Sequence, residues 1–184
     1  MRIISGFLKG RIIKVPKSKQ VRPTTERNRE SIFNYLTNIF DFNETLVCDL
    51  YAGTGALGFE AMSRGAAFVD FVEQNFKIYK NLLENVASLD VADLCKVNKS
   101  DAVKFTKQTT NRYDLIIADP PFFRDDVYSV FRNIFDRDLL NDDGLLIIER
   151  SIQTEKEDEK AFGAKHIRRL GDSLIYQFNK EDIK

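Results

Sequence analysis

The chain has 184 residues, with 28 Lys+Arg against 28 Asp+Glu and a formal net charge of zero. That length fits one compact domain, and 43% apolar residues with 15 Phe exclude a disordered, charge-driven tail. No apolar run approaches the ~18 residues needed to span a bilayer, and no secretory signal is visible at the start. Two cysteines are too few for a disulfide scaffold or a thiolate metal site, and no metal centre is expected. The protein is expected to be cytoplasmic and monomeric.

The zero conceals an uneven distribution. Residues 1–30 hold nine cations and two anions, a net of +7, so the remaining 154 residues carry −7. Two short β-branched runs, Arg2-Ile-Ile-Ser and Arg11-Ile-Ile-Lys-Val, flank a stretch with Gly6 and Gly10, a pattern that suits a hairpin. Arg2, Lys9, Arg11 and Lys14 then form a basic surface fit for RNA. Residues 1–23 are expected to be this basic arm and 24–184 the body.

After Val21-Arg22-Pro23-Thr24-Thr25, a helix start, Ile32, Phe33, Leu36, Ile39 and Phe40 recur at helical spacing and predict a helix over 25–40. Thr45–Leu50 reads as a buried strand, followed by a glycine-rich turn and a helix near 56–64. A second strand over 66–73 leads to Asn75, which can cap a helix striped with Phe76, Tyr79, Leu82, Leu83, Val86 and Leu89. Further strands are expected at 94–98, 113–118 and 144–149, and helices over about 125–138 and 151–160, the last a solvated face. Residues 165–179 look like two strands joined at Gly171-Asp172, an antiparallel pair at the sheet edge. Such alternation predicts an α/β fold, a mostly parallel sheet with helices on both faces.

Asp49-Leu-Tyr-Ala-Gly53-Thr-Gly55-Ala-Leu-Gly58 places G-x-G-x-x-G between a strand and a helix, with Glu73 lying 20 residues after Gly53. The glycines let a ligand approach the backbone, and the carboxylate suits ribose hydroxyls. A dinucleotide would be repelled by Asp49, whereas the cationic amino-acid end of S-adenosylmethionine would be attracted. Asp101, just past the third strand, suits an adenine amine or, equally, a helix N-cap.

Asp119-Pro120-Pro121-Phe122 is a sharper signal. Two prolines cannot donate to a ladder, so the chain leaves the sheet at the carboxyl end of the fourth strand, where ligands bind in such folds. A carboxylate, the Pro120 carbonyl and the rings of Phe122 and Phe123 suit a planar base with an exocyclic amine. Two acceptors on that amine favour its pyramidal form and free its lone pair for attack on a methyl group. A ring such as Phe122 stacks on the base, worth roughly 1–3 kcal/mol.

On these motifs the chain resembles the bacterial 16S ribosomal RNA guanine-N2 methyltransferases of the RsmD type. The resemblance runs from Met1 to about Phe178. It rests on Met1-Arg-Ile-Ile-Ser-Gly, Val21-Arg-Pro-Thr-Thr with Arg29-Glu30, the Asp49–Gly58 loop, Ser63-Arg-Gly-Ala, Val72-Glu-Gln-Asn, Asp119-Pro-Pro-Phe and Gly171-Asp-Ser-Leu. The glycine loop and Asp-Pro-Pro-Phe are shared by many amino-methyltransferases; Arg-Pro-Thr with the N-terminal start is more specific. The resemblance implies a Rossmann-like methyltransferase with a seven-stranded sheet and an N-terminal hairpin. It further implies S-adenosylmethionine as donor and a guanine amine of small-subunit 16S rRNA, in an assembled or nearly assembled subunit, as acceptor. Asp49, Gly53 and Gly55 would line the methionine end, Glu73 the ribose and Asp101 the adenine. Asp119, Pro120, Pro121 and Phe122 would hold the target, while Arg22, Thr24 and Arg29 would lie near the cofactor and RNA entrance. Tyr51 and Thr54 stand where the family often has Phe and Ser.

Three other readings remain at this level. A DNA or RNA adenine methyltransferase also acts on an exocyclic amine, a nicotinamide-dependent oxidoreductase uses a similar loop, and a non-catalytic rRNA-binding assembly factor needs only the basic arm.

Overall fold

The computed structural model describes residues 1–16, 26–121 and 124–182. Seven strands form one sheet: β1 (Leu46–Leu50), β2 (Phe68–Val72), β3 (Cys95–Asn98), β4 (Tyr113–Ala118), β5 (Leu140–Ser151), β6 (Arg168–Leu170) and β7 (Ser173–Asn179). Their spatial order is β3-β2-β1-β4-β5-β7-β6. The first five pair in parallel, and β7 runs antiparallel to both β5 and β6. The expected α/β class and edge hairpin are therefore present.

The six α-helices are α1 (Glu26–Thr37), α2 (Ala56–Ser63), α3 (Phe76–Leu89), α4 (Ala102–Gln108), α5 (Asp126–Asp136) and α6 (Glu155–Phe162). Parallel strands lie between helices on both faces, which is why β1 and β4 read as almost unbroken apolar runs. Odd-numbered positions such as Val47, Leu115 and Ile147 pack with Phe33, Phe59 and Leu82 on one face. Even-numbered positions such as Cys48, Ile116 and Leu146 pack with Val130, Phe131 and Phe162 on the other. Among the described residues no helix is long and apolar enough to cross a membrane.

Several details depart from the periodicity. Ile39 lies beyond the end of α1 and is exposed. In α3 the buried residues are Leu82, Asn85, Val86 and Leu89, whereas Phe76 and Leu83 face solvent. The 151–160 segment is not simply a solvated face. Asp158 is fully buried and receives Arg150 Nε at 2.9 and 3.1 Å, Tyr128 Oη at 2.8 Å and Thr154 Oγ1 at 2.6 Å. A buried charge with that many donors is retained because they replace its lost hydration.

The N-terminal segment folds back on itself, but as a turn rather than paired strands. A single antiparallel bridge joins Arg2 and Ile12, with Ile3 N–H donating to Arg11 O at 3.0 Å and Ile13 N–H to Met1 O at 2.8 Å. The ladder stops there because the backbone of residues 4–8 bonds to α2 instead. Glu60 accepts from Ile4 and Ser5 N–H (2.8 and 3.1 Å), and Ser63 Oγ accepts from Leu8 N–H at 2.9 Å. Gly6 is required at this contact: its φ is +77°, and a Cβ would lie 1.5 Å from Ser63 O.

Candidate cofactor and target-base site

The strand order reverses between β1 and β4, since the chain runs outward through β2 and β3 before returning. That reversal opens a crevice at the carboxyl ends of the strands. Register brings the acidic residues there together. Leu50 pairs with Val72 and with Ala118, so Glu73 and Asp119, each one residue further on, flank the loop that follows Asp49. A fourth carboxylate, buried Glu149, lies one residue past Ile148, the partner of Ala118. Of the sequence-predicted set, the fold therefore gathers Asp49, Gly53, Gly55, Glu73, Asp119 and Pro120 at one end of the sheet.

The loop is shaped by left-handed backbone at Tyr51 (φ +63°), Gly53 (+57°) and Gly55 (+83°). A Cβ on Gly55 would approach Leu82 Cδ1 and Phe59 Cε2 to 2.5 Å, so only glycine lets α2 begin against α3. Gly58 serves differently. Its N–H, one of the free donors of the first turn of α2, gives a 2.8 Å hydrogen bond to Asp49 Oδ2. A Cβ there would stand 2.3 Å from Phe71 Cε1 and 3.0 Å from that carboxylate.

Asp49 is 1% exposed. Burial pushes its carboxyl up to about 7; the Gly58 N–H opposes this and neighbouring Glu73 adds to it. Burial likewise raises Glu73, against hydrogen bonds from the backbone of Asn75, Gly53 and Gln74. Glu73 Oε2 accepts from Gly53 N–H at 3.0 Å and Oε1 from Asn75 N–H at 2.5 Å, so it ties the glycine loop to the start of α3. Two buried acids, each raised chiefly by loss of hydration, form a site that gains by receiving a cation. Asp101 is the N-cap of α4, accepting from Lys104 N–H at 2.8 Å through Oδ1. The helix-cap alternative is thus present, and it leaves Oδ2 available.

Past β4 the chain leaves the sheet at buried Pro120 and exposed Pro121, whose carbonyl accepts from Arg124 N–H at 3.0 Å. Beneath this turn lies Arg150, 0% exposed, with Nη1 3.5 Å from Arg124 O and Nε on Asp158. Phe122, Phe123, Arg22 and Thr24 lie outside the described residues.

Arg2, Lys9, Arg11 and Lys14 are exposed, with Arg11 Nη2 donating to Ser88 O at 2.7 Å. Arg29 is a correction. It is fully buried, with Nη2 donating to Arg2 O and Nε 3.9 Å from Glu60 Oε2, and so reaches no external ligand. Its charge is spent anchoring the N-terminal segment to α1 and α2, because buried Glu60 needs a cationic neighbour.

Two further residues emerge only in the fold. Asn85, fully buried on α3, accepts from Lys14 N–H (2.9 Å) and donates to Lys14 O and Thr54 O (both 3.1 Å). It joins the basic segment to the glycine loop; an amide on the apolar face of a helix was its one sequence signal. Arg150 is the other.

The family model described as conserved hypothetical protein 95 matches residues 1–178. Ribosomal RNA small subunit methyltransferase D of Escherichia coli is 31% identical over 184 residues, covering 100% of this chain and 91% of that protein. A Bacillus subtilis protein named putative rRNA methyltransferase YlbH is 34% identical over 158 residues, covering 84% and 85%. The solved structure of the E. coli putative methyltransferase yhhF superposes with a TM-score of 0.81 at 28% identity, over 98% of both chains. The chain belongs to the conserved hypothetical protein 95 family, which includes the ribosomal RNA small subunit methyltransferase D proteins.

Proposed function

We propose that this protein transfers the methyl group of S-adenosylmethionine to the exocyclic amine of a guanine in 16S rRNA, within the small subunit or a late assembly intermediate. It acts as a cytoplasmic monomer on that RNA. The observation that carries the reading is the placement of Asp119-Pro120 beside the loop held by Asp49 and Glu73, at the open ends of β4, β1 and β2. The names of the related proteins supply the substrate class.

The residues fit the donor. Asp49 and the Gly53–Gly55 backbone would hold its amino-acid end, Glu73 its ribose and Asp101 Oδ2 or the adjacent backbone its adenine. The donor supplies an electrophilic methyl on a sulfonium. Asp119 and the Pro120 carbonyl accept from the two N–H bonds of the guanine amine, which localises its lone pair toward that carbon. With the donor bound, its methyl–sulfur bond would break as the C–N bond forms, leaving a neutral thioether; Asp119 would take the released proton and Phe122 would stack on the base. Holding the two reactants in line supplies the rest of the acceleration. Because both faces of a paired guanine are stacked, the base enters flipped out or unpaired. The chain is divided into an arm, 1–23, for RNA contact and a body, 24–184, for catalysis.

The test is incubation of unmodified small subunits with labelled donor, followed by mass mapping. A methylated guanine N2 is expected. Label on adenine, or none on any RNA, overturns the proposal.

A further inference from the structure

The acidic body is not uniformly acidic. On the flank formed by α3, β3 and α4 a group of lysines gathers beside an exposed aromatic ring. Phe76, the first residue of α3, is 53% exposed, with Lys80 Nζ 4.7 Å and Lys99 Nζ 5.9 Å from its ring centroid. Lys99 also lines a cleft of about 440 Å³ together with Lys96 and Lys104, and with Asn98, Thr109 and Asn111. Among the described residues none of these lysines is in a salt bridge. The one carboxylate in the cleft, Asp70, is 3% exposed and faces inward. It accepts from Asn98 (2.9 Å), Asn111 (3.2 Å) and Tyr113 (2.9 Å), so its charge is met on the floor while the ammonium groups stay at the rim.

We propose that Phe76, Lys80, Lys99 and the lysine-lined cleft form a second RNA-docking surface, which holds a single-stranded segment outside the reaction centre. A base stacks on Phe76, and flanking phosphates lie on Lys80, Lys99 and Lys104. An exposed ring among unpaired cations is the arrangement single-stranded nucleic acid needs, because every base has a π-face and every linkage one negative charge. The long lysine stems let each ammonium leave the ring for a phosphate as the base arrives. Phe76 is three residues past Glu73, and Lys99 two before Asp101, so a strand held here borders the adenosine side of the crevice. The N-terminal cations reach the far end of α3, where Arg11 Nη2 donates to Ser88 O at 2.7 Å. One helix therefore carries both basic regions. The inference rests on the rRNA reading above, since it names where that substrate is gripped.

The experiment measures binding of the full chain to unmodified small subunits and to protein-free 16S rRNA across a salt series, with donor affinity and methyl transfer measured in parallel. The variants are Phe76→Ala and Lys99→Ala/Lys104→Ala. All three positions are exposed, and melting curves are recorded alongside to check that each variant keeps the fold. The expected result is a loss of RNA affinity of about tenfold for Phe76→Ala. The double lysine variant should lower the salt slope by about 0.7 per lost phosphate contact. Donor affinity should be unchanged for both. Unchanged RNA affinity and slope overturn the proposal. Weakened donor binding with intact RNA binding also does so, assigning the ring to adenine, as does weakening seen only with protein-containing subunits, which assigns the surface to a protein. If the wild type binds RNA through this surface yet methylates no guanine, the proposed activity fails while the docking surface stands.

Discussion

The carboxylate of Asp49 accepts a 2.8 Å hydrogen bond from the backbone N–H of Gly58, three residues into α2, so the end of β1 and the start of the next helix are fastened by one buried acid. The same oxygen is 3.0 Å from where a Gly58 Cβ would stand. Gly58→Ala should therefore displace either Phe71 or that carboxylate. Donor affinity measured by calorimetry should fall about tenfold or more, with the rRNA affinity kept.

Burial holds the Asp49 carboxyl at about 7, against 3.8 for the free group. A raised acid binds more protons folded than unfolded between those values, so its contribution to stability is greatest below 3.8 and is lost as pH rises to 7. Unfolding curves at pH 5 and pH 8 should show the free protein losing stability on the alkaline side. In Asp49→Asn that loss should shrink by on the order of a few kcal/mol. Donor binding should show the opposite trend, strengthening up to about pH 7 as the carboxylate ionises. A flat binding profile would remove Asp49 from the cationic end of the donor.

For the target amine, Asp119→Asn should retain donor binding and lower kcat by about 10²- to 10⁴-fold, since a carboxamide keeps an acceptor oxygen but takes no proton. Single-turnover methyl transfer on unmodified subunits measures this. Equal losses in donor affinity and rate would assign Asp119 to binding instead.

The buried Arg150–Asp158 pair supports the turn after the Asp-Pro-Pro motif through the Arg124 carbonyl. Asp158→Ala leaves Arg150 buried and uncompensated, and denaturant curves should show a loss of about 3–5 kcal/mol. The double change Arg150→Met/Asp158→Leu should recover most of it.

Neutralising the exposed cations Lys9, Arg11 and Lys14 should weaken RNA binding and flatten its dependence on salt, each lost phosphate contact lowering the slope by about 0.7–0.9. An unchanged slope in filter binding would exclude the N-terminal segment from the interface.

The strand-helix alternation, the glycine loop and Asp119-Pro-Pro were legible in sequence because each is a local property. Period-2 and period-3.6 burial, left-handed glycines and prolines without N–H groups act within a few residues. The charge division between the first 30 residues and the rest was legible as well. The sequence did not disclose which polar groups face inward. Arg29 reads as a cation beside the cofactor and RNA entrance, yet α1 turns it onto Glu60 and the Arg2 carbonyl. Asp158 reads as part of a solvated face and is wholly buried, as is Asn85, while Phe76 reads as core and is exposed. Apart from Thr154, four positions before Asp158, the polar partners of Arg29, Asn85 and Asp158 lie 8–71 positions away, and only the packing of α1, α2, α3 and β5 against one sheet sets them in reach. Composition and short motifs thus determined the class of fold and which loops lie at its open end. Tertiary structure decided which charges serve as internal anchors and which remain exposed, because burial of an ion depends on long-range partners that no local spacing encodes.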